Sequence, residues 1–354
     1  MLNPSLARWL GACAAGLLCV LSTAAFGQAA AGQTEHLRVV GGLAGVNQFV
    51  RHEQPFWAQE IPRLTQGRIT VEIVPFDQAG LSGDEMLRVM QMGAVPFGTL
   101  LLGRSASVEP ELAGPDLAGL NPDHATLERT VAAYRPRMAR LLRERYGIEL
   151  LAIYTYPAQV VFCAKPFGAL TELAGRRVRV SSISQADFFS ALGATPLQTP
   201  FAQIVPGIRA GTLDCAVTGT MSGNTIGLHE VTTHVHAMAI NWGLAAFVAN
   251  GERWAALQPA VRQVISRELP RLERNIWAES ERETAEGLAC NSGDAACRGG
   301  RKGAMKVVAT RPADEALRQD LLSRVVVPAW LKRCGESCAA VWQQSLARGA
   351  APTR

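Results

Sequence analysis

Leu173-Ala174-Gly175-Arg176-Arg177-Val178-Arg179-Val180, then Leu192-Gly193-Ala194-Thr195-Pro196, then Ile208-Arg209-Ala210-Gly211-Thr212-Leu213-Asp214, is the stretch from which the fold is read. Arg177 to Val180 predicts a short strand, Gln185 to Leu192 and Ala202 to Ala210 predict helices, and Gly211 stops the second helix ahead of a strand from Leu213 to Thr218. Helices alternating with strands at this spacing predict an α/β architecture.

The same alternation continues on both sides. Upstream, His36 to Val40 predicts a strand, Asn47 to Thr65 a helix with Phe49, Phe56, Trp57 and Ile61 near one face, and Arg68 to Pro75 a second strand. Gly83 to Met92 predicts a helix, Val95 to Leu102 a buried strand, and Asn121 to Tyr146 a helical region interrupted at Pro136. Glu149 to Tyr156 and Gln159 to Ala164 are expected strands. Downstream, apolar residues recur at Val261, Val264, Ile265, Leu269, Leu272 and Ile276, which predicts a helix from Pro259 to about Leu288 with a kink at Pro270. Thirty residues of helix span ~45 Å. That exceeds one small domain, so this helix is expected to brace two lobes.

Composition bounds the function. The chain has 354 residues, 48% hydrophobic and 18% charged, enough for a large core and, by length, two domains. A net charge of +5, without long basic runs, excludes a nucleic-acid footprint and suits anionic small ligands. Met1 to Arg8 precedes an apolar run from Leu10 to Ala25, and Ala25-Phe26-Gly27 offers a cleavage site, so residues 1–27 are expected to be a secretory signal peptide rather than a membrane anchor. Of eight cysteines, Cys13 and Cys19 fall in that segment. The remaining six favour disulfides, with local pairing of Cys290 with Cys297 and of Cys334 with Cys338 leaving Cys163 for Cys215. The rival is a zinc site of the four late cysteines.

The search for catalytic constellations is negative. Gly41-Gly42-Leu43-Ala44-Gly45 lacks the G-x-G-x-x-G spacing and predicts a tight turn at a pocket rim. No P-loop and no G-x-S-x-G elbow is present. In His229-Glu230-Val231-Thr232-Thr233-His234 the second histidine is five residues on, the wrong face of a helix for a zinc pair, and His236 would join only from an extended segment. Neither a cofactor, nor a metal, nor a catalytic residue is expected.

The central stretch resembles the signature of the DctP-type solute-binding proteins of tripartite ATP-independent periplasmic (TRAP) transporters: an L-x-G-x-x-x-R strand, an L-G-A-x-P turn, a helix, and a G-x-x-D before a further strand. Gly67-Arg68-Ile69 with Val74-Pro75, and Gln91-Met92-Gly93-Ala94, are similar to other stretches of that family. The resemblance implies a two-lobed periplasmic binding protein fold with a ligand cleft between the lobes. It implies that Arg179 anchors a ligand carboxylate, which its planar guanidinium suits. By strand alternation alone Arg177 and Arg179 share a face, and the motif position selects Arg179. Gln159 stands where some relatives have a second arginine, which puts a two-arginine clamp in doubt and suggests a less negative ligand. Thr218 stands where those relatives have asparagine, Asp214-Cys215 replaces Asp-Gly, and Pro96 stands where Asp is frequent. Gly42 at the first strand's mouth, Arg104 just after the strand Val95 to Leu102, Phe201 and Trp242 as apolar walls, and Ser181, Ser182, Thr220 and Asn224 as small polar groups complete the candidate ligand-binding set.

The resulting expectation is a monomeric periplasmic protein that captures an organic acid and delivers it to membrane subunits of a TRAP transporter. Gln33 to Tyr156 with Gly243 to Thr284 would form one lobe, Pro157 to Trp242 with residues 285–346 the other, and residues 347–354 a tail. The competing classes are a secreted hydrolase, which needs an activated nucleophile, and a ligand sensor on the same fold.

Overall fold

A computed structural model describes residues 34–346; the expected signal segment and the C-terminal tail lie outside the described residues. In chain order the strands are β1 (Glu35–Gly41), β2 (Ile69–Pro75), β3 (Phe97–Leu101), β4 (Ile148–Thr155), β5 (Gln159–Cys163), β6 (Arg177–Val180), β7 (Thr195–Gln198), β8 (Cys215–Gly219), β9 (His234–His236), β10 (Leu244–Asn250) and β11 (Lys306–Val308). They form two sheets, ordered β2-β1-β3-β10-β4 and β11-β9-β5-β8-β6-β7. The architecture is the expected α/β one. Four strands were not foreseen, β7, β9, β10 and β11; of these β10 runs antiparallel between β3 and β4 and is buried along its whole length.

Two short crossings join the sheets near the middle of the molecule. One is the link from β4 to β5 through Tyr156, and the other the link from β9 to β10 through Asn241 and Gly243. They hold each other, because Gln159 N–H donates to Asn241 O and Ile240 N–H donates to Gln159 O, both at 2.8 Å.

The helix Pro259–Ser292 is the third tie, and at 34 residues it is ~51 Å long. Val261, Ile265, Leu269, Leu272 and Ile276 pack into the core of the first sheet. Further along, the same helix meets the helix Thr220–Thr225, which follows β8: Thr220 Oγ1 donates to Glu283 O, and Asn291 Nδ2 donates to Thr220 O. The predicted interruption at Pro136 is not there: His124–Tyr146 is continuous, and Pro259–Ser292 likewise continues across Pro270. Both prolines are on exposed faces, where water satisfies the carbonyl that a proline leaves without its N–H.

The cysteines pair as the spacing suggested. Cys163–Cys215 joins β5 to β8 with Cα atoms 4.1 Å apart, and Cys290–Cys297 and Cys334–Cys338 close local loops at 4.5 and 5.7 Å. The zinc alternative is thereby removed. Among the described residues the one group of metal-type ligand atoms is Glu111 with Cys334 and Cys338, whose sulfurs are already bonded to each other. His236 is fully buried on β9 and its Nδ1 accepts from Met238 N–H.

Glu53 is the most consequential buried acid. It accepts from Gly42 N–H at 2.9 Å, Gln48 Nε2 at 2.8 Å and Thr99 Oγ1 at 3.3 Å. Burial nevertheless outweighs these bonds and raises its pKa from 4.5 to about 7.

Two predictions concern this frame. At Gly287 an added Cβ would lie 2.3 Å from Met221 N and 2.5 Å from Thr220 C, both backbone atoms that cannot turn aside. Gly287→Ala should cost at least ~1–3 kcal/mol by overpacking. Thermal melting should show a clear loss against the exposed control Ala285→Ser, and equal melting temperatures would disprove the close approach. For Glu53 the folded pKa lies above the unfolded one, so its stability contribution is full below pH 4.5 and is lost as pH rises through about 7. Denaturant unfolding at pH 4.5 and pH 8 should show wild type losing up to ~3 kcal/mol more than Glu53→Gln across that interval. Identical pH slopes would show that burial does not raise the Glu53 pKa above its unfolded value.

Candidate ligand-binding site

Between the two sheets lies a cavity of about 450 Å³. One wall comes from the first sheet and its loops, including Leu43, Phe76 and Leu101, and the other from the second, including Arg179, Phe201 and Thr218. The apolar side chains give it shape and a few polar groups converge on it, the usual construction of a small-molecule site.

Arg179 is on β6, an inner strand of its sheet. Its guanidinium is braced from both neighbours: Nε donates to Thr199 O, just after β7, at 3.0 Å, and Nη1 to Val217 O on β8 at 2.7 Å. Among the described residues Nη2 has no partner. Burial first, and then the charge of Arg104, push the Arg179 pKa down to about 9, so the group stays cationic at neutral pH. Arg177, two residues earlier, is in a different situation. Its Nε and Nη2 close a two-point contact on Asp214 at 2.9 and 2.8 Å, and it does not line the cavity. The choice that alternation left open is made by Asp214, which occupies one arginine and leaves the other.

Arg104 enters from the first sheet's side, at the end of the short helix Leu102–Ser105. Its stem passes over Gly83, where a Cβ would lie 2.3 Å from the Arg104 Cβ. Burial lowers its pKa, with Asp84 opposing. Gln159 stands in place of a second arginine, but a second guanidinium, the Arg104 already among the candidates, reaches the cavity from the other sheet's side.

Seven of the candidate residues, Arg179, Gln159, Thr218, Phe201, Arg104, Ser181 and Ser182, meet around this cavity. Others do not. Trp242 is turned away from the cavity, its indole Nε1 donating to Asn121 O at 3.0 Å and its ring edge-on to His124, while its chain neighbours Asn241 and Gly243 line the cavity. Gly42 faces Glu53 and Tyr156 instead, since its added Cβ would lie 2.7 Å from Glu53 Oε1. Thr220 and Asn224 are spent on holding the long helix and the loop after it.

Asp116 was missed by sequence reasoning. It lines the cavity and gathers the β9–β10 crossing: Trp242 N–H, Gly243 N–H and Asn241 Nδ2 donate to it at 2.7–2.9 Å. Burial outweighs those bonds and raises its pKa to about 6. No local motif marks it. Its partners are some 125 positions away.

With this geometry in view, relatives can be compared. The family model for bacterial extracellular solute-binding protein, family 7 (DctP) matches residues 43–292. The ectoine-binding periplasmic protein TeaA of Halomonas elongata is 24% identical over 200 residues, covering 55% of this chain and 58% of that one. A solute-binding protein of Roseobacter denitrificans is 24% identical over 204 residues, covering 56% and 61%. The chain thus spans about three fifths of the length of the curated relatives it matches. Among solved structures, the Bordetella pertussis extracytoplasmic solute receptor DctP7, which binds pyroglutamic acid, superposes with a TM-score of 0.78 at 22% identity over 89% of this chain and 99% of its own. A Rhodoferax ferrireducens TRAP periplasmic solute-binding protein with bound malonate gives 0.74 at 18% identity, over 88% and 98%. These likenesses establish the two-lobed fold, and the family match over most of the chain establishes membership: the chain belongs to the bacterial extracellular solute-binding proteins of family 7.

Proposed function

We propose that this protein captures an organic acid between its two lobes in the periplasm and hands it, as a monomer, to the membrane subunits of a TRAP transporter. The observation that carries this reading is Arg179: a buried guanidinium facing a cavity, with Nη2 unpartnered among the described residues. A ligand carboxylate supplies what that group lacks, two acceptors of opposite charge in the guanidinium plane. Arg104 adds attraction for the same anion. The lobes would be residues 33–156 with 243–284 and residues 157–242 with 285–346, closing about the paired crossings at Tyr156 and Asn241. Ligand contacts made only in the closed state would shift the population toward it. Family membership supports binding rather than catalysis.

Titration calorimetry with pyroglutamate and malonate, the ligands of two structural relatives, together with mass spectrometry of any molecule retained on gentle purification, identifies the acid. For the acid that binds, Arg179→Ala should weaken affinity roughly thirtyfold to several thousandfold, the equivalent of ~2–5 kcal/mol for one partner of a desolvated charge pair. Arg179→Lys should recover only part, since an ammonium cannot make the planar two-point contact. Arg177→Ala, whose partner is Asp214, should leave affinity within about threefold. An Arg179→Ala protein that binds normally would refute the anchor.

A further inference from the structure

Gln159 lines the cavity, and what it can recognise depends on which end of its amide faces the ligand. An amide presents either an acceptor or two donors. The hydrogen bonds behind Gln159 decide this, starting from two groups of fixed polarity.

The first is the backbone N–H of Ser181, which can only donate. It donates to Gln185 Oε1 at 2.7 Å, so the oxygen of Gln185 is at that end and its nitrogen at the other. The second is the carboxylate of Asp116, which accepts from Asn241 Nδ2 at 2.9 Å and so turns Asn241 Oδ1 away from itself. Between these ends Gln185 Nε2 donates to Asn241 Oδ1 and to Gln159 Oε1, each at 2.6 Å, and both its hydrogens are used. The two ends arrive at Gln185 independently and demand the same orientation. Ser181 Oγ adds a second donor to Gln159 Oε1 at 3.1 Å.

The outer half of the amide follows by elimination. Gln159 Oε1 is held inward, and Nε2, without a partner among the described residues, is turned outward. It sits over Gly243, where an added Cβ would come within 2.3 Å of it; glycine at that position, with φ of +79°, leaves the room.

We propose that Asp116, Asn241 and Gln185 form a polarity relay that holds Gln159 as an obligatory donor, so that the site admits at this point an acceptor oxygen of the ligand and rejects an amine or ammonium. The inference rests on the anion-binding reading and sharpens it. With Arg179 Nη2 also donating, the ligand must present acceptors at both positions, as a carboxylate or a carboxylate with a neighbouring carbonyl does. Asp116, Asn241 and Gln185 act here as positioning residues. The relay also crosses the molecule: Asp116 ends the turn Pro110–Asp116, Asn241 is in the β9–β10 crossing, Gln185 is on the helix Ile183–Ala191, and Gln159 opens β5.

Neutron diffraction from deuterium-exchanged, ligand-free crystals reads the amide directly. In wild type the two deuterons of Gln159 should point into the cavity, and a Gln159 oxygen there would overturn the proposal. In Gln185→Glu the inner partner can no longer donate, so the Gln159 amide should reverse and turn its oxygen to the cavity; an unchanged orientation would show that Gln185 does not set it. The wild-type measurement stands even if the variant fails to fold. Because no ligand is required, its failure leaves the anion reading untouched, and loss of the Arg179 anchor in calorimetry leaves the relay untouched.

Discussion

A guanidinium buried without an acid partner among the described residues is the constraint around which the second sheet is arranged. Moving a charged group out of water is costly unless other groups replace its hydration. Arg179 keeps two of its donors satisfied by carbonyls of the two neighbouring strands, one on each side of β6. That bracing fixes the plane of the side chain before any ligand arrives, and a pre-oriented donor loses less entropy on binding than a free one. The cation with which it shares the cavity, Arg104, makes the unliganded state less comfortable still.

The remaining architecture keeps that wall registered against the opposite one. Two crossings, hydrogen-bonded to each other at Gln159 and Asn241, and one long helix packed against both sheets tie the halves together. Asp116 gathers the backbone of one crossing, and through Asn241 and Gln185 the same carboxylate is linked to Gln159. The cavity-lining Gln159 and the crossing are therefore parts of one hydrogen-bonded unit. The disulfide between Cys163 and Cys215 ties the far end of β5 and β8, whose near ends carry Gln159 and Thr218.

How much of this was legible in the sequence varies with the range of the interaction. The strand Arg177–Val180 and the helices after it follow from local pattern and lie within a residue or two of the expected bounds, and the long helix from Pro259 follows likewise but runs four residues further, to Ser292. The central strand β10 was invisible because Leu244–Asn250 is buried on both faces and rich in alanine, which erases the alternation that marks a half-exposed strand. Trp242 read as a wall because aromatic residues line pockets, but its direction is set by a hydrogen bond to Asn121, far away in the chain. Asp116 carried no signal at all: its meaning comes wholly from a segment that folding brings to it. Arg177 and Arg179 were equivalent by period, and only a tertiary partner, Asp214, tells them apart.

The central claim is that Arg179 receives the carboxylate of the physiological ligand, and a crystal structure of the protein carrying the molecule with which it co-purifies tests it most directly. The account predicts a carboxylate in the plane of the Arg179 guanidinium, with one oxygen within ~2.7–2.9 Å of Nη2. A bound molecule whose acid group lies elsewhere, with Nη2 facing water, would contradict it.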